Sequence, residues 1–333
     1  MIYSKRLLAL LIILLSYSGM LLAQPFIYKD DHFTSNKNKL NPLSRYIRIN
    51  LTNGHRDTVF QHHKILMDNT QSWMVDGDRS DIIIYNTLNK NLNLRINFDP
   101  GIVVYSKSKY KLYILGNYKS GSLFTVLNAA SGKKELSLPI KIYDKYGEIF
   151  LSENEENLYI PYYDTAFTPV KLNEIKLAYV STSSNKIFKK KSLAEIGMPG
   201  ADIYYLVNGR KGKGIIESRL NTDDSYFNIY DFDRDYSSPF IFYHGNAEPY
   251  FTNNGKYLIL AEKTDTIING KSTSVFSGSI ILYDVLRQSL LKTLFLSPGG
   301  QIYFFDNYPD FLYYVENKTG KIITLNIENL INN

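Results

Sequence analysis

The sequence predicts an all-β, single β-propeller, and three observations lead there. A degenerate unit of short apolar strands recurs roughly every 40 to 55 residues along the chain. Pro-Gly steps (Asp99-Pro100-Gly101, Met198-Pro199-Gly200 and Ser297-Pro298-Gly299-Gly300) fall between units, where Pro withholds a ladder donor and Gly permits a sharp turn. No helical periodicity of useful length follows the first 23 residues.

The unit is clearest from Tyr250 to Leu296. Asn253-Asn254-Gly255-Lys256 makes a turn, because Asn and Gly tolerate positive φ at little steric cost. Tyr257 to Ala261 is a short apolar run that suits a buried strand, a long polar loop spans Thr264 to Gly278, and Ser279 to Asp284 and Leu290 to Leu296 supply two more strands. With a strand around Pro249-Tyr250-Phe251 in front, these make a four-stranded blade that cannot bury both faces alone.

In chain order the first unit centres on Ser72–Val75 and Asp81–Tyr85, and the second on Lys111–Leu115, Gly121–Leu127 and Leu136–Ile140. The third carries Asn157–Ile160 and Ala178–Val180, and the fourth Asp202–Val207, Gly214–Ile216 and Tyr226–Asp231. The sixth has Phe311–Val315 and Ile322–Ile327. Trp73, Tyr113 and Tyr159 occupy equivalent places, 40 and 46 residues apart. Six blades are expected, with seven the alternative. The last unit lacks an outermost strand, and the hairpin of Arg45–Leu51 and Thr58–Phe60 is expected to supply it, so that N-terminal strands close the ring and leave no open edge.

Ahead of the propeller (residues 45–333), Lys5-Arg6, the apolar run Leu7–Leu15 and the small residues before Gln24 read as a secretory signal over residues 1–23, cleaved after Ala23. Leu21 is large for its place before that cleavage point, and an uncleaved anchor is the alternative. Residues 24–44 are mostly polar and aperiodic, and read as a flexible leader. A periplasmic or extracellular location follows. The chain has no Cys, so disulfides, lipoprotein attachment and thiol chemistry are excluded. The formal net charge of +6 falls to +4 without residues 1–23, which carry Lys5 and Arg6 and no acid. With export, that weak excess argues against a nucleic-acid partner. The dense run Lys189-Lys190-Lys191 reads as a solvated turn.

The fifth unit, with its Gly255-Lys256 turn and a strand ending at Asp284, resembles the YVTN-type repeats of surface-layer-like propellers. So does the second, with Asn128 and Gly132-Lys133, and Gly320-Lys321 falls in the matching place of the sixth. The resemblance implies a propeller fold and little about function, since such folds host surface proteins, binding modules and a few enzymes.

A ligand site belongs on the face shared by the inter-blade crossovers and the loops between second and third strands. The expected blades bring His62, His63, Asp99, Glu148, Asp202, His244 and Glu248 to that face. Imidazoles with carboxylates have the chemistry to bind a divalent metal or move protons, and the plainer reading is polar loops around a wet channel. Asp231-Phe232-Asp233-Arg234-Asp235 opens like a calcium loop, but Tyr236 stands where Gly is needed and Phe242 where Glu is needed. Trp73 reads as core. No nucleophile elbow, phosphate loop or zinc-protease helix occurs.

The function read from the sequence is a monomeric binding or scaffold module for a protein or glycan partner, with no cofactor and no membrane insertion after cleavage. A hydrolase, lyase or lactonase with a metal or acid–base site in the channel is the alternative. Exported from a bacterial host, the mature chain should begin at Gln24. Intact-mass measurement checks this, and a chain retaining residues 1–23 would be anchored instead.

Overall fold

The central strands are apolar on both sides. Leu112, Tyr113 and Ile114 succeed one another with no solvent exposure, as do Ile259 and Leu260. Adjacent strand residues point to opposite faces, so a sheet built on such strands needs a neighbour on each side.

The computed structural model describes residues 26–30, 44–52, 56–61, 66–67, 72–78, 81–86, 93–96, 99–118, 121–140, 149–163, 175–221, 223–252, 254–268, 271–305, 308–316 and 319–332. The strands of the described residues form seven antiparallel sheets. The first holds β1 (Phe26–Asp30), β2 (Ser44–Asn50) and β3 (Arg56–Gln61), and the second β4 (Leu66–Met67), β5 (Trp73–Asp78), β6 (Asp81–Asn86) and β7 (Asn93–Ile96). The third holds β8 (Asp99–Ser106), β9 (Lys111–Tyr118), β10 (Gly121–Asn128) and β11 (Lys134–Ile140). The fourth holds β12 (Phe150–Leu151), β13 (Asn157–Tyr163), β14 (Ile175–Ser181) and β15 (Ile187–Ser192). In the fifth, β16 (Ile203–Arg210), β17 (Lys213–Arg219) and β18 (Asp224–Asp231) are edged by β19 (Tyr236–Ser237) and β20 (Ile241–His244), both on β18. The sixth holds β21 (Ala247–Phe251), β22 (Tyr257–Ile268), β23 (Lys271–Asp284) and β24 (Ser289–Phe295). The seventh holds β25 (Gln301–Phe305), β26 (Tyr308–Val315) and β27 (Ile322–Asn326), and a short helix, α1 (Ile327–Asn332), ends the description.

The core is divided among the gaps between sheets. Trp73 and Ile84 of the second sheet meet Val103, Leu112 and Ile114 of the third. On the other face of the third sheet, Tyr113, Phe124 and Val126 meet Leu158, Ile160 and Val180 of the fourth. Aromatic rings fill the next gap, where Tyr159 lies 5.2 Å from Phe232 and 5.1 Å edge-on from Tyr179. Ile215 and Phe227 of the fifth pack on Leu258 and Leu260 of the sixth, whose opposite face sets Ile259 and Ile280 against Leu312 and Tyr314 of the seventh. Leu51, directly after β2, packs on Tyr313 and Val315 of the seventh, so the first and last sheets are neighbours. The sheets are the blades of a β-propeller.

Of the two blade counts the sequence allowed, the structure has the higher, seven sheets. The N-terminal hairpin does not complete the last sheet, as expected, but builds its own. β1 pairs along one edge of β2 and β3 along the other, so β2 is a sheet centre with no edge to lend. β1 also places a strand inside the segment expected to be a flexible leader. The first and last sheets meet through side chains instead. Besides the Leu51 contact, the Arg56 guanidinium donates to the Gly320 carbonyl at 2.7 Å.

Two smaller expectations also change. Asp99-Pro100-Gly101 is no crossover but the start of β8, with the register shifting between Pro100 and Ile102. The stretch Thr264–Gly278 is not an open loop. Its Thr264, Asp265 and Thr266 pair with Val275, Ser274 and Thr273, extending β22 and β23 into a two-stranded arm.

One turn recurs, between the third and fourth strands of the third to sixth sheets and between the second and third strands of the seventh. The fifth residue of each, Gly132, Asn185, Asp235, Gln288 and Gly320, has φ between 51° and 70°. In three copies the first residue's amide and carbonyl are held alike: Asn128 N–H donates to Lys133 O and Gly132 N–H to Asn128 O, with the same pairs at Ser181 and Glu316. Gly at this place costs nothing in sterics, whereas a side chain there is strained by about 1 kcal/mol or more.

Two stability predictions follow from this packing. Trp73→Ala should cost about 3 to 5 kcal/mol by emptying a site that is fully enclosed and edge-on to Tyr105. Gln288→Gly should instead stabilise, by up to about 1 kcal/mol, by relieving a left-handed backbone. Denaturant melts of both variants check the two signs.

Candidate functional site

Four of the seven residues expected to converge are described, and each is held by its own local partners. His62, His63 and Glu148 lie outside the described residues. Asp99 opens β8, opposite Asn117 of β9. Asp202 is exposed just before β16, its amide bonded to the Arg219 carbonyl at 2.8 Å. His244 ends β20 with its side chain about three-quarters exposed, and its Nδ1 lies 2.8 Å from Asp224 Oδ1. Glu248, four residues on, turns instead to Lys263, Oε2 to Nζ at 2.7 Å. Among the described residues no three His, Cys, Asp or Glu side chains are grouped as a metal site.

The calcium-like stretch is also taken apart by its partners. Asp231 accepts from the Arg234 amide and lies 3.6 Å from the Lys213 ammonium. Asp233 accepts from the Tyr159 hydroxyl and the Glu153 amide. Asp235 takes the Lys191 ammonium at 2.7 Å and the Tyr230 hydroxyl, and these bonds hold its carboxyl down at about 2. Burial with the Asp235 contact pushes the Tyr230 phenol above its ordinary range, so it stays a neutral donor. The three carboxylates face three ways and form no cage: Asp233 and Asp235 stitch the fourth and fifth blades, and Asp231 is held within the fifth.

A cleft of about 440 Å³ lies between the sixth and seventh blades, where the crossover from β24 to β25 passes. Tyr250 of β21 and Phe276 of β23 form its apolar base, both buried, and Ile302 and Tyr303 of β25 border it, the Tyr303 ring packing with Tyr313 and Val315 on the seventh sheet's other face. The Glu248–Lys263 ion pair stands on one wall, and Thr273 and Ser274 bring hydroxyls from the arm. Gly299 and Gly300 bring backbone to the opposite lip. Only Gly fits at position 300, where a Cβ would lie 2.2 Å from the Tyr314 ring. The Gly299 amide donates to the Phe276 carbonyl at 2.8 Å, and the Tyr314 hydroxyl donates to the Ser297 carbonyl, so both ends of the lip are tied. Burial raises the Tyr303 phenol above its ordinary value, keeping it protonated, and it donates to Gln301 Oε1. Aromatic rings, a fixed dipole of opposite charges and a few hydroxyls suit orientation of an amphipathic ligand.

Glu248 is the one sequence-named candidate in this cleft; Lys263, Phe276 and Tyr303 were not singled out. A signal for the arm does exist. Asn269-Gly270 stands between Ile268 and Lys271, the last pair of the ladder, and Asn-Gly between β-formers is the strongest short hairpin mark.

No family model matches the chain, and no curated protein is similar to it. The chain is similar to several solved structures. Hydrazine synthase of Kuenenia stuttgartiensis is 8% identical with a TM-score of 0.56, over 85% of this chain and 89% of that one. TolB of Acinetobacter baumannii is 8% identical at a TM-score of 0.47, over 84% of this chain and 65% of its own. Dihydro-heme d1 dehydrogenase NirN, solved in complex with DHE, is 14% identical at 0.47, over 87% and 66%. The likeness to hydrazine synthase supports the β-propeller fold and, at so low an identity, speaks to the fold alone.

The exposed His244–Asp224 pair makes a pH prediction. The hydrogen bond and charge of Asp224 raise the His244 pKa, and the same bond lowers that of Asp224. A raised His contributes stability below its unfolded value and loses it as pH rises through the folded one. A lowered Asp contributes above its unfolded value and loses it as pH falls through the folded one. Both act together between about pH 4 and 6.5. NMR titration should find His244 above its ordinary value, and Asp224→Asn should return it there.

Proposed function

We propose that this chain is an exported binding module that holds a protein or glycan partner in the cleft between its sixth and seventh blades. The carrying observation is the composition of that cleft: a base of Tyr250 and Phe276, Ile302 and Tyr303 on its border, and the Glu248–Lys263 pair at 2.7 Å. Rigid rings with a polar tip supply contact area at low entropic cost, and the ion pair supplies orientation. The positively charged start and apolar run of residues 1–23 support export to a periplasmic or extracellular site. Among the described residues no helix is long and apolar enough to cross a membrane. The module works as a monomer and belongs with YVTN-type repeats, on the strength of the Gly255-Lys256, Gly132-Lys133 and Gly320-Lys321 turns.

The test is a capture from periplasmic and surface extracts together with a glycan array, run on the full chain and on Lys263→Ala and Tyr303→Ala. A ligand that binds the parent and is weakened roughly tenfold or more by either substitution, with unchanged melting temperature, is the expected result. Ligands indifferent to both substitutions would move the site elsewhere.

A further inference from the structure

We infer that the cleft takes an extended peptide, which adds as a strand to the open edge of the β23 arm; this rests on the binding reading above. The sixth blade's outer strand β24 follows β23 only as far as the pair Ser279↔Phe295. Beyond it the chain still bonds along the same edge, Leu296 N–H to Gly278 O at 2.7 Å and Gly299 N–H to Phe276 O at 2.8 Å, before leaving for β25. Backbone groups of an antiparallel strand point outward at every second residue. With Phe276 outward, Ser274 and Ser272 present the next amides and carbonyls on that edge, and no strand of the described residues pairs with them there. The protein's own crossover thus starts a strand addition that stops at Phe276, with the outward-facing Ser274 and Ser272 still ahead of it.

The arm's composition points the same way. Proteins guard a strand edge with Lys or Pro, and the outer strand of the fourth blade, β15, carries Lys189, Lys190 and Lys191 in a row. Ser272, Thr273 and Ser274 are small, exposed and uncharged, so the edge admits another backbone. The cleft adjoins it, since Ser274 and Phe276 line it themselves. A peptide laid on this edge would direct alternate side chains towards Phe276 and the β25 border of the cleft, beside the Glu248–Lys263 pair. Main-chain bonds would then give affinity, and the cleft would select an apolar or aromatic residue.

The probe is a displayed library of random heptapeptides panned on the full chain, with enriched peptides synthesised and measured by fluorescence polarisation. N-methylation at alternate amides of the peptide should cost roughly tenfold in affinity, because each blocked bond strands a buried carbonyl, and methylation of the intervening amides should cost little. Hydrogen exchange on the unmodified chain should show Ser272 and Ser274 protected by the bound peptide, which decides the matter even where Ser274→Pro fails to fold. A folded Ser274→Pro should lose binding by a similar factor. Indifference to the methylation pattern, or no protection at the two serines, overturns the inference. A glycan weakened by Tyr303→Ala, with no peptide enriched, also overturns it while leaving the binding reading standing. If neither glycan nor peptide binds, both fall.

Discussion

Every blade depends on burial of both faces of its central strands. Leu112 and Ile114 face one neighbour while Tyr113 faces the other, and Leu258 and Leu260 stand back to back with Ile259 in the same manner. A sheet of this kind removed from its ring would expose both apolar faces to water at about 25 cal/mol for each Å². The stable solution is a closed sequence of sheets, each serving as cover for two others. Closure by Leu51 on Tyr313 and by Arg56 on the Gly320 carbonyl therefore matters to every blade, although it is made of side chains and not of ladder bonds.

Turn chemistry is the second recurrent constraint, and it explains why the repeat is visible though the strands diverge. Any apolar residues of suitable size fill the gaps between blades, so Trp73, Tyr113 and Tyr159 stand at corresponding places with different neighbours. The turns tolerate less. The a-to-b turns of the fourth and sixth blades share one bonding scheme, in which Asn154 and Asn254 each accept from a backbone amide two residues on, and Ser152 and Thr252 cap the strand that follows. Where the left-handed place is filled by Asn185, Asp235 or Gln288 in place of Gly, the repeat fades in the sequence while the backbone keeps its path.

The cleft arises where the sixth blade departs from its siblings. Its second and third strands run 12 and 14 residues, against 8 each in the third blade, and the surplus forms the arm. The crossover that follows carries Gly300 beneath the Tyr314 ring, which sets the lip close to the seventh blade. Scaffold and site are thus separable: shared strands hold the sheets together, and the added length and the Pro298-Gly299-Gly300 step shape what can bind.

By itself the sequence determined the all-β repeat, the strand cores and the turns that punctuate them, because apolar runs and Gly or Asn turns act over a few residues. It also set apart Glu248, the arm stretch and the Pro298-Gly299-Gly300 step as the parts of the sixth blade that are not shared scaffold. Tertiary structure alone decided that the sheets number seven, that β1 takes the edge of β2, that Glu248 meets Lys263 and not His244, and that Phe276 and Tyr303 border one cleft. Those outcomes rest on which sheet edge is free and which faces meet. Such choices are settled between residues as distant as Leu51 and Tyr313, which no local pattern can pair.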